Sequence, residues 1–127
     1  MLKSDPRTWT DARHRLGVAA EREVIALMRR EGYQVLAHRW RLHRHDVDII
    51  ARRGAVVVFA EVKARRWSSF GRGIEAVTAR KQRELVRAAA AWLQRRGRSG
   101  DVARFDVIVV EGVRIEWVQN AFRPGWR

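Results

Sequence analysis

Along the first quarter of the chain the hydrophobic positions recur with a helical period. Leu16, Ala20, Val24, Leu27 and Met28 share one face of a segment from about Thr10 to Glu31, and Gly32 follows as a stop. The pattern then changes to the short β-branched and aromatic runs of strands. Tyr33–Trp40, Val47–Ala51 and Val56–Ala64 are separated by two joints, Arg41–Asp46 and Arg52–Gly54, which predicts an antiparallel meander. In the third run both alternating sets begin apolar, Val57 and Phe59 on one face and Val56, Val58, Ala60 and Val62 on the other. That is the pattern of a central strand covered on both sides. Arg65–Glu75 is basic, aperiodic and rich in glycine and serine, and predicts a mobile loop. Thr78 caps a second helix running to about Arg96, with Leu85, Ala88, Ala89, Trp92 and Leu93 as its stripe and Gly97–Gly100 as its end. Phe105–Val110 and Val113–Val118 are two last strands around Glu111-Gly112, before a tail with Ala121-Phe122 and Pro124. The order α, β, β, β, α, β, β predicts an α/β fold, a mixed sheet flanked by helices in one domain over residues 1–127 with its core at about 12–122.

Composition narrows the chemistry. At 127 residues and 46% hydrophobic, the chain supports one core. A formal net charge of +13 draws polyanions, nucleic acid first among them. Ribosomal proteins, RNA chaperones and membrane-surface proteins share that balance, so charge alone selects none of them. With no cysteine the chain has neither a disulfide framework nor a thiolate zinc site. The longest apolar runs, Ala55–Ala60 and Ala88–Leu93, fall far short of the roughly 20 residues that span a bilayer. The N-terminal residues carry positive charge without an apolar stretch after it, unlike a secretory signal. The expected setting is the cytoplasm, without a membrane partner.

Of 27 Lys and Arg, only Lys3, Lys63 and Lys81 are lysine. Arginine serves here wherever a generic positive charge suffices, so a retained lysine points to a need for a compact ammonium. Glu61 and Lys63, two apart in a strand, project from one face where the central strand passes from apolar to charged residues. On the neighbouring strand Asp46, Asp48 and Ile50 share a face, and a hairpin around Gly54 brings Asp48 toward Glu61. Hard oxygen donors on adjacent strands suit Mg²⁺ or Mn²⁺, and Lys63 would then position a nucleophile or stabilise a transition state at phosphorus. The plainer alternative is an exposed cross-strand ion pair with a turn aspartate. Glu21 lies among Gly17, Val24, Ile25 and Met28 on a helical wheel, on the face that should be buried. A buried carboxylate needs a cation, either a metal or one of the many arginines. Lys81 shares the face of Leu85, Ala88 and Trp92 near the start of the second helix, placed for phosphate or as a snorkelling lysine. Arg80 beside it, and Arg65, Arg66 and Trp67 in the basic loop, extend the expected nucleic-acid surface, with Trp67 as a base-stacking candidate. His43 and His45 sit at a basic loop tip, placed for phosphate or water before a transition metal.

Taken in order, these residues form a longer signature. Gly17-x-x-Ala20-Glu21, Gly32-Tyr33-x-Val35-Leu36, Val47-Asp48-Ile49-Ile50-Ala51, Val58-Phe59-x-Glu61-Val62-Lys63-x-Arg65, Lys81, Ala89, Leu93, Arg104-Phe105-Asp106-Val107 and Asn120-Ala121-Phe122 span nearly the whole chain. The signature resembles the bacterial YraN-type family, which is grouped with the restriction-endonuclease-like PD-(D/E)xK superfamily and is similar to archaeal Holliday-junction resolvases. The resemblance implies a catalytic set of Glu21, Asp48, Glu61 and Lys63, with Mg²⁺ or Mn²⁺ held by Asp48, Glu61 and Glu21. In one place the chain departs from that pattern: His45-Asp46 stands where the family usually has Gly-Glu. The expected function is metal-dependent hydrolysis of DNA phosphodiesters, in branched or structured DNA, with homodimerisation open. The alternatives are a non-catalytic nucleic-acid-binding module that keeps the nuclease fold, and an RNA-binding or ribosome-associated factor.

Overall fold

The computed structural model describes residues 6–65 and 77–124, and the side chains of 17–64 and 77–124. Its elements are α1 (Pro6–Arg30), β1 (Gln34–Leu42), β2 (His45–Arg53), β3 (Val56–Arg65), α2 (Ala79–Arg96), β4 (Val102–Glu111) and β5 (Arg114–Phe122). The predicted order holds throughout. The sheet runs β1-β2-β3-β4-β5, with every neighbouring pair antiparallel except β3–β4. It is therefore the expected mixed sheet, with β3 at its centre.

Local chemistry sets the element ends. Helix α1 begins four residues before Thr10 because Pro6 suits a first helical position, where no intrahelical N–H is needed. At its other end Gly32 adopts φ 89°, and Tyr33 N–H bonds the Met28 carbonyl at 2.9 Å while Gly32 N–H bonds that of Arg29 at 3.1 Å. That left-handed cap terminates the helix. The strands outrun the predicted ones. The two joints of the meander are mostly strand, reduced to the tight turns His43-Arg44 and Gly54-Ala55, with φ of 56° at His43 and 62° at Gly54. The Ala121-Phe122 tail is likewise the end of β5. A register irregularity between Phe105 and Val107 lets β5 bulge at Asn120, where φ is 53°, and return to pair Phe122 with Phe105. The predicted loop Arg65–Glu75 lies outside the described residues apart from Arg65, which ends β3.

Each face of the sheet carries one helix. On one, Ala20, Val24 and Met28 of α1 pack on Tyr33, Ile49, Ala51, Val58, Ala60 and Ile108. On the other, Leu85, Ala88, Ala89 and Trp92 of α2 cover Val47, Ile50, Val57, Phe59, Phe105 and Val107. The sheet's α2 side is tied together by a ring series: Phe59 meets Trp92 edge-on at 5.8 Å, Phe105 in a stack at 5.8 Å, and Phe105 stacks on Phe122 at 5.1 Å. Such contacts add about 0.5–1.5 kcal/mol each beyond area burial. Two buried polar ties complete the frame. Arg52, in a segment read as a joint, forms a bidentate pair with Asp101 at 2.7 and 2.8 Å. Asp106, fully buried, accepts from Arg104 at 3.0 and 2.8 Å, Trp117 Nε1 at 2.8 Å and the Asn120 amide at 3.0 Å. No helix among the described residues is long and apolar enough to cross a membrane.

Candidate functional site

The alternation of β2 breaks at Asp48. Val47 faces the α2 side and Ile49 the α1 side, although residues two apart should share a face. Opposite this break, Arg39 of β1 takes a left-handed φ of 57°, an uncommon and costly state for a non-glycine residue. Pairing of β2 with β3 stops at Ile49–Ala60, so the next opposed residues would be Asp48 and Glu61. There the two central strands part. The Val62 amide, which would have met a β2 carbonyl, donates instead to Asp48 Oδ2 at 2.8 Å. One carboxylate oxygen is thereby fixed at the mouth of the fork.

Glu61, only 5% exposed, lies near enough to Asp48 for its charge to act on that carboxyl, and Lys63 Nζ stands 3.2 Å from Glu61 Oε2. From the far side α2 supplies Lys81. Thr78 Oγ1 accepts the Lys81 amide at 3.1 Å and locks the helix's first turn, while the ammonium bonds Asp46 Oδ1 at 3.1 Å and lies 3.8 Å from Glu61 Oε1. Burial and the nearby Glu61 charge raise the Asp48 carboxyl to about 7, against the pull of the Val62 amide, with the Glu21 charge adding to the rise. Burial weakens the Lys81 ammonium, but Glu61 and the bond to Asp46 outweigh it and raise its pKa on balance, so it stays charged through neutral pH.

The sequence-selected residues thus divide into groups. Asp48, Glu61 and Lys63 meet at the fork, and Lys81 joins them. Glu21 is buried as its helical phase predicts, 6% exposed, but its Oε1 is engaged by His38 Nε2 and by Arg39 Nε, the latter at 2.9 Å. It is within electrostatic reach of Asp48 without sharing its immediate contacts. Arg80 is exposed and pairs with Glu84 at 3.4 Å. Arg66 and Trp67, and the side chain of Arg65, lie outside the described residues. Sequence reading missed His38 and Arg39; the signal was present, since Arg39 breaks the alternation of its run beside another polar residue. Asp46 was read only as sharing a face with Asp48 and Ile50, an alternation that the break at Asp48 does not keep. Its role as the partner of Lys81 depends on where α2 docks, which periodicity does not give.

No three His, Asp or Glu side chains among the described residues are gathered closely enough to enclose a metal by themselves. The fork offers instead two hard carboxylates, buried and close enough together that Asp48 is pushed to about 7. That arrangement fits a divalent ion that retains water and takes phosphate oxygens, as Mg²⁺ does, better than one needing a full protein cage. Such an ion would share Glu61 with two ammonium groups already against it.

Fold and site together define a class: an α/β protein whose mixed five-stranded sheet forks at its centre around a carboxylate pair and two lysines. The chain belongs to the uncharacterised protein family UPF0102, whose family model matches residues 20–110 and so includes every residue of the fork. This agrees with the YraN-type resemblance read from the signature. It is 41% identical over 113 residues to UPF0102 protein STH1475 of Symbiobacterium thermophilum, covering 85% of this chain and 96% of that one. A UPF0102 protein of Halorhodospira halophila is 37% identical over 118 residues, 93% of this chain and 95% of its own. UPF0102 protein GSU0650 of Geobacter sulfurreducens is 42% identical over 112 residues, 84% of this chain and 88% of its own.

Proposed function

We propose that this protein is a metal-dependent endonuclease that hydrolyses phosphodiester bonds in DNA, acting on branched or structured DNA. The observation that carries the reading is the fork itself: two strands part so that Asp48 and Glu61 crowd together, with a lysine on either side. Keeping Asp48 beside Glu61 with its carboxyl pushed to about 7 costs stability, as expected where a pair is retained for chemistry. Asp48 and Glu61 would hold Mg²⁺ or Mn²⁺, and the ion would supply Lewis-acid activation of water and screening of charge at phosphorus. Lys63, on the strand face of Glu61, donates to the attacking water or to the charge developing on the phosphoryl oxygens. Lys81 exchanges its bond to Asp46 for a non-bridging phosphate oxygen. Glu21, clasped by His38 and Arg39, keeps a negative charge behind Asp48 and so favours a cation in front of it. The excess of arginine draws the polyanion in.

A second reading is supported by one observation. Glu61 already has two ammonium partners and Glu21 has His38 and Arg39, as in a binding module that keeps its carboxylates for stability. Incubating branched, single-stranded and linear DNA with the protein and Mg²⁺ or Mn²⁺ separates the two. The expected result is metal-dependent cutting that Glu61→Ala abolishes. Binding without cutting on every substrate, or cutting that survives Glu61→Ala, overturns the nuclease reading.

A further inference from the structure

Beside the fork lies a second feature of different chemistry. Arg80, Arg83, Glu84 and Arg87 on one face of α2, with Arg44 and His45 at the β1–β2 turn, line a groove of about 410 Å³. Its acid, Glu84, is taken up by Arg80 at 3.4 Å. Arg44, Arg83 and Arg87 are exposed and form no ion pair among the described residues. Arg39, Arg52 and Arg104, by contrast, are each bound to a carboxylate. Holding three uncompensated guanidinium groups in one groove costs electrostatic repulsion, which a polyanion relieves.

The groove is continuous with the site. Its lining residues His45 and Arg80 immediately precede Asp46 and Lys81, which bond each other at 3.1 Å, so both elements lead from the groove directly to the fork. A chain of phosphates with one member at Lys81 can therefore pass on to Arg80, Arg83 and Arg87 without leaving cationic partners. From Arg80 to Arg87 the helix rises about 10 Å, on the order of three nucleotide steps along one strand. Four guanidinium groups dominate the lining, with one imidazole and one carboxylate, and guanidinium is a principal partner of phosphate oxygens.

We propose that this groove holds the phosphodiester backbone flanking the reacting position, about three nucleotides long. The inference rests on the endonuclease reading for its register but concerns a separate set of residues. It is tested on the full chain without divalent metal, by titrating a fluorescein-labelled DNA duplex of mixed sequence across a range of salt. The triple variant Arg44→Ala/Arg83→Ala/Arg87→Ala should reduce the slope of log affinity against log salt by about 2 to 3 and weaken binding at least tenfold at moderate salt. Arg44→Lys/Arg83→Lys/Arg87→Lys should retain the wild-type slope, and Arg29→Ala/Arg30→Ala at the end of α1 should leave it unchanged. An alanine triple variant that remains folded with the wild-type slope overturns the proposal, as does a loss equal to that of the α1 pair. The outcomes separate cleanly from catalysis: a protein that binds through the groove but never cuts keeps this inference and loses the endonuclease. One that cuts equally well without the groove arginines does the reverse.

Discussion

Lys63 is where a single side chain discriminates most sharply. If its position needs only positive charge, Lys63→Arg will be nearly silent, since arginine fills almost every other basic position of this chain. If it needs a compact ammonium 3.2 Å from Glu61, the wide guanidinium will miss its place, and turnover should fall roughly a hundredfold, the scale of losing one transition-state donor. The large loss is expected, with an unchanged melting temperature; a stable variant of near wild-type rate removes Lys63 from catalysis. Asp48 makes a prediction about stability. Its folded pKa of about 7 lies above its ordinary value of 3.8, so between those pH values the native state binds a proton that the unfolded state releases. The contribution is fully present below 3.8 and is lost as pH rises through 7. Asp48→Asn can still accept from Val62 and donate to Glu61, so without metal it should be more stable than wild type at pH 8 by on the order of a few kcal/mol, and near parity at pH 4. Urea unfolding at both pH values measures the gap; a gap independent of pH refutes the crowding. Glu21 marks how far single residues were legible. Helical phase predicted its burial, and the break in alternation at Arg39 marked its partner strand, but the pairing itself depends on how α1 docks on β1, which periodicity does not give.

At the level of elements the β4–β5 pairing carries an irregularity between Phe105 and Val107. Strand β5 is held there less by regular pairing than by Asp106, which gathers Arg104, Trp117 and the Asn120 amide in a bulge. Asp106→Ala would leave the Arg104 guanidinium with Tyr33 but no carboxylate, and the Trp117 and Asn120 N–H donors unsatisfied, a loss of roughly 3–5 kcal/mol. It should appear in urea unfolding, whereas Asp106→Asn should recover part of it by accepting one or two of those bonds. Equal stability of the alanine variant and wild type would show that the bulge stands without its carboxylate. The same bulge explains why the last strand was cut short in the sequence reading. Gln119 and Asn120 interrupt the apolar alternation, and only the pairing of Phe122 with Phe105 brings the chain back into the sheet. Element kinds and order were legible because the periods of 3.6 and 2 are strong over these lengths. Strand ends were not, because polar residues paired across two-residue turns look the same in sequence as loop.

For the molecule as a whole, the proposed function assigns attraction to nucleic acid and chemistry upon it to separate residues. A charge of +13 and a two-carboxylate fork predict that Glu61→Ala binds DNA within about threefold of wild type in the absence of metal, with the same salt slope. A collapse of affinity in that variant would mean that the fork, not the arginine surface, governs association. The sheet's connectivity has a further, kinetic consequence. Strands β1, β2 and β3 are joined by two-residue turns, whereas the parallel partner β4 arrives only after the chain has passed from Arg65 through α2 to Val102. Closing that long loop costs more chain entropy than closing either hairpin, which favours a folding nucleus in the meander. Ile49→Val is accordingly expected to slow folding, with a high φ-value, while Val107→Ala mainly speeds unfolding. Asp48 and Glu61 belong to the early hairpin and Lys81 to the late helix. Folding through the meander first would bring the two acids together before the α2 ammonium reaches them, and raising the pH through about 7, which charges Asp48, should slow that step most.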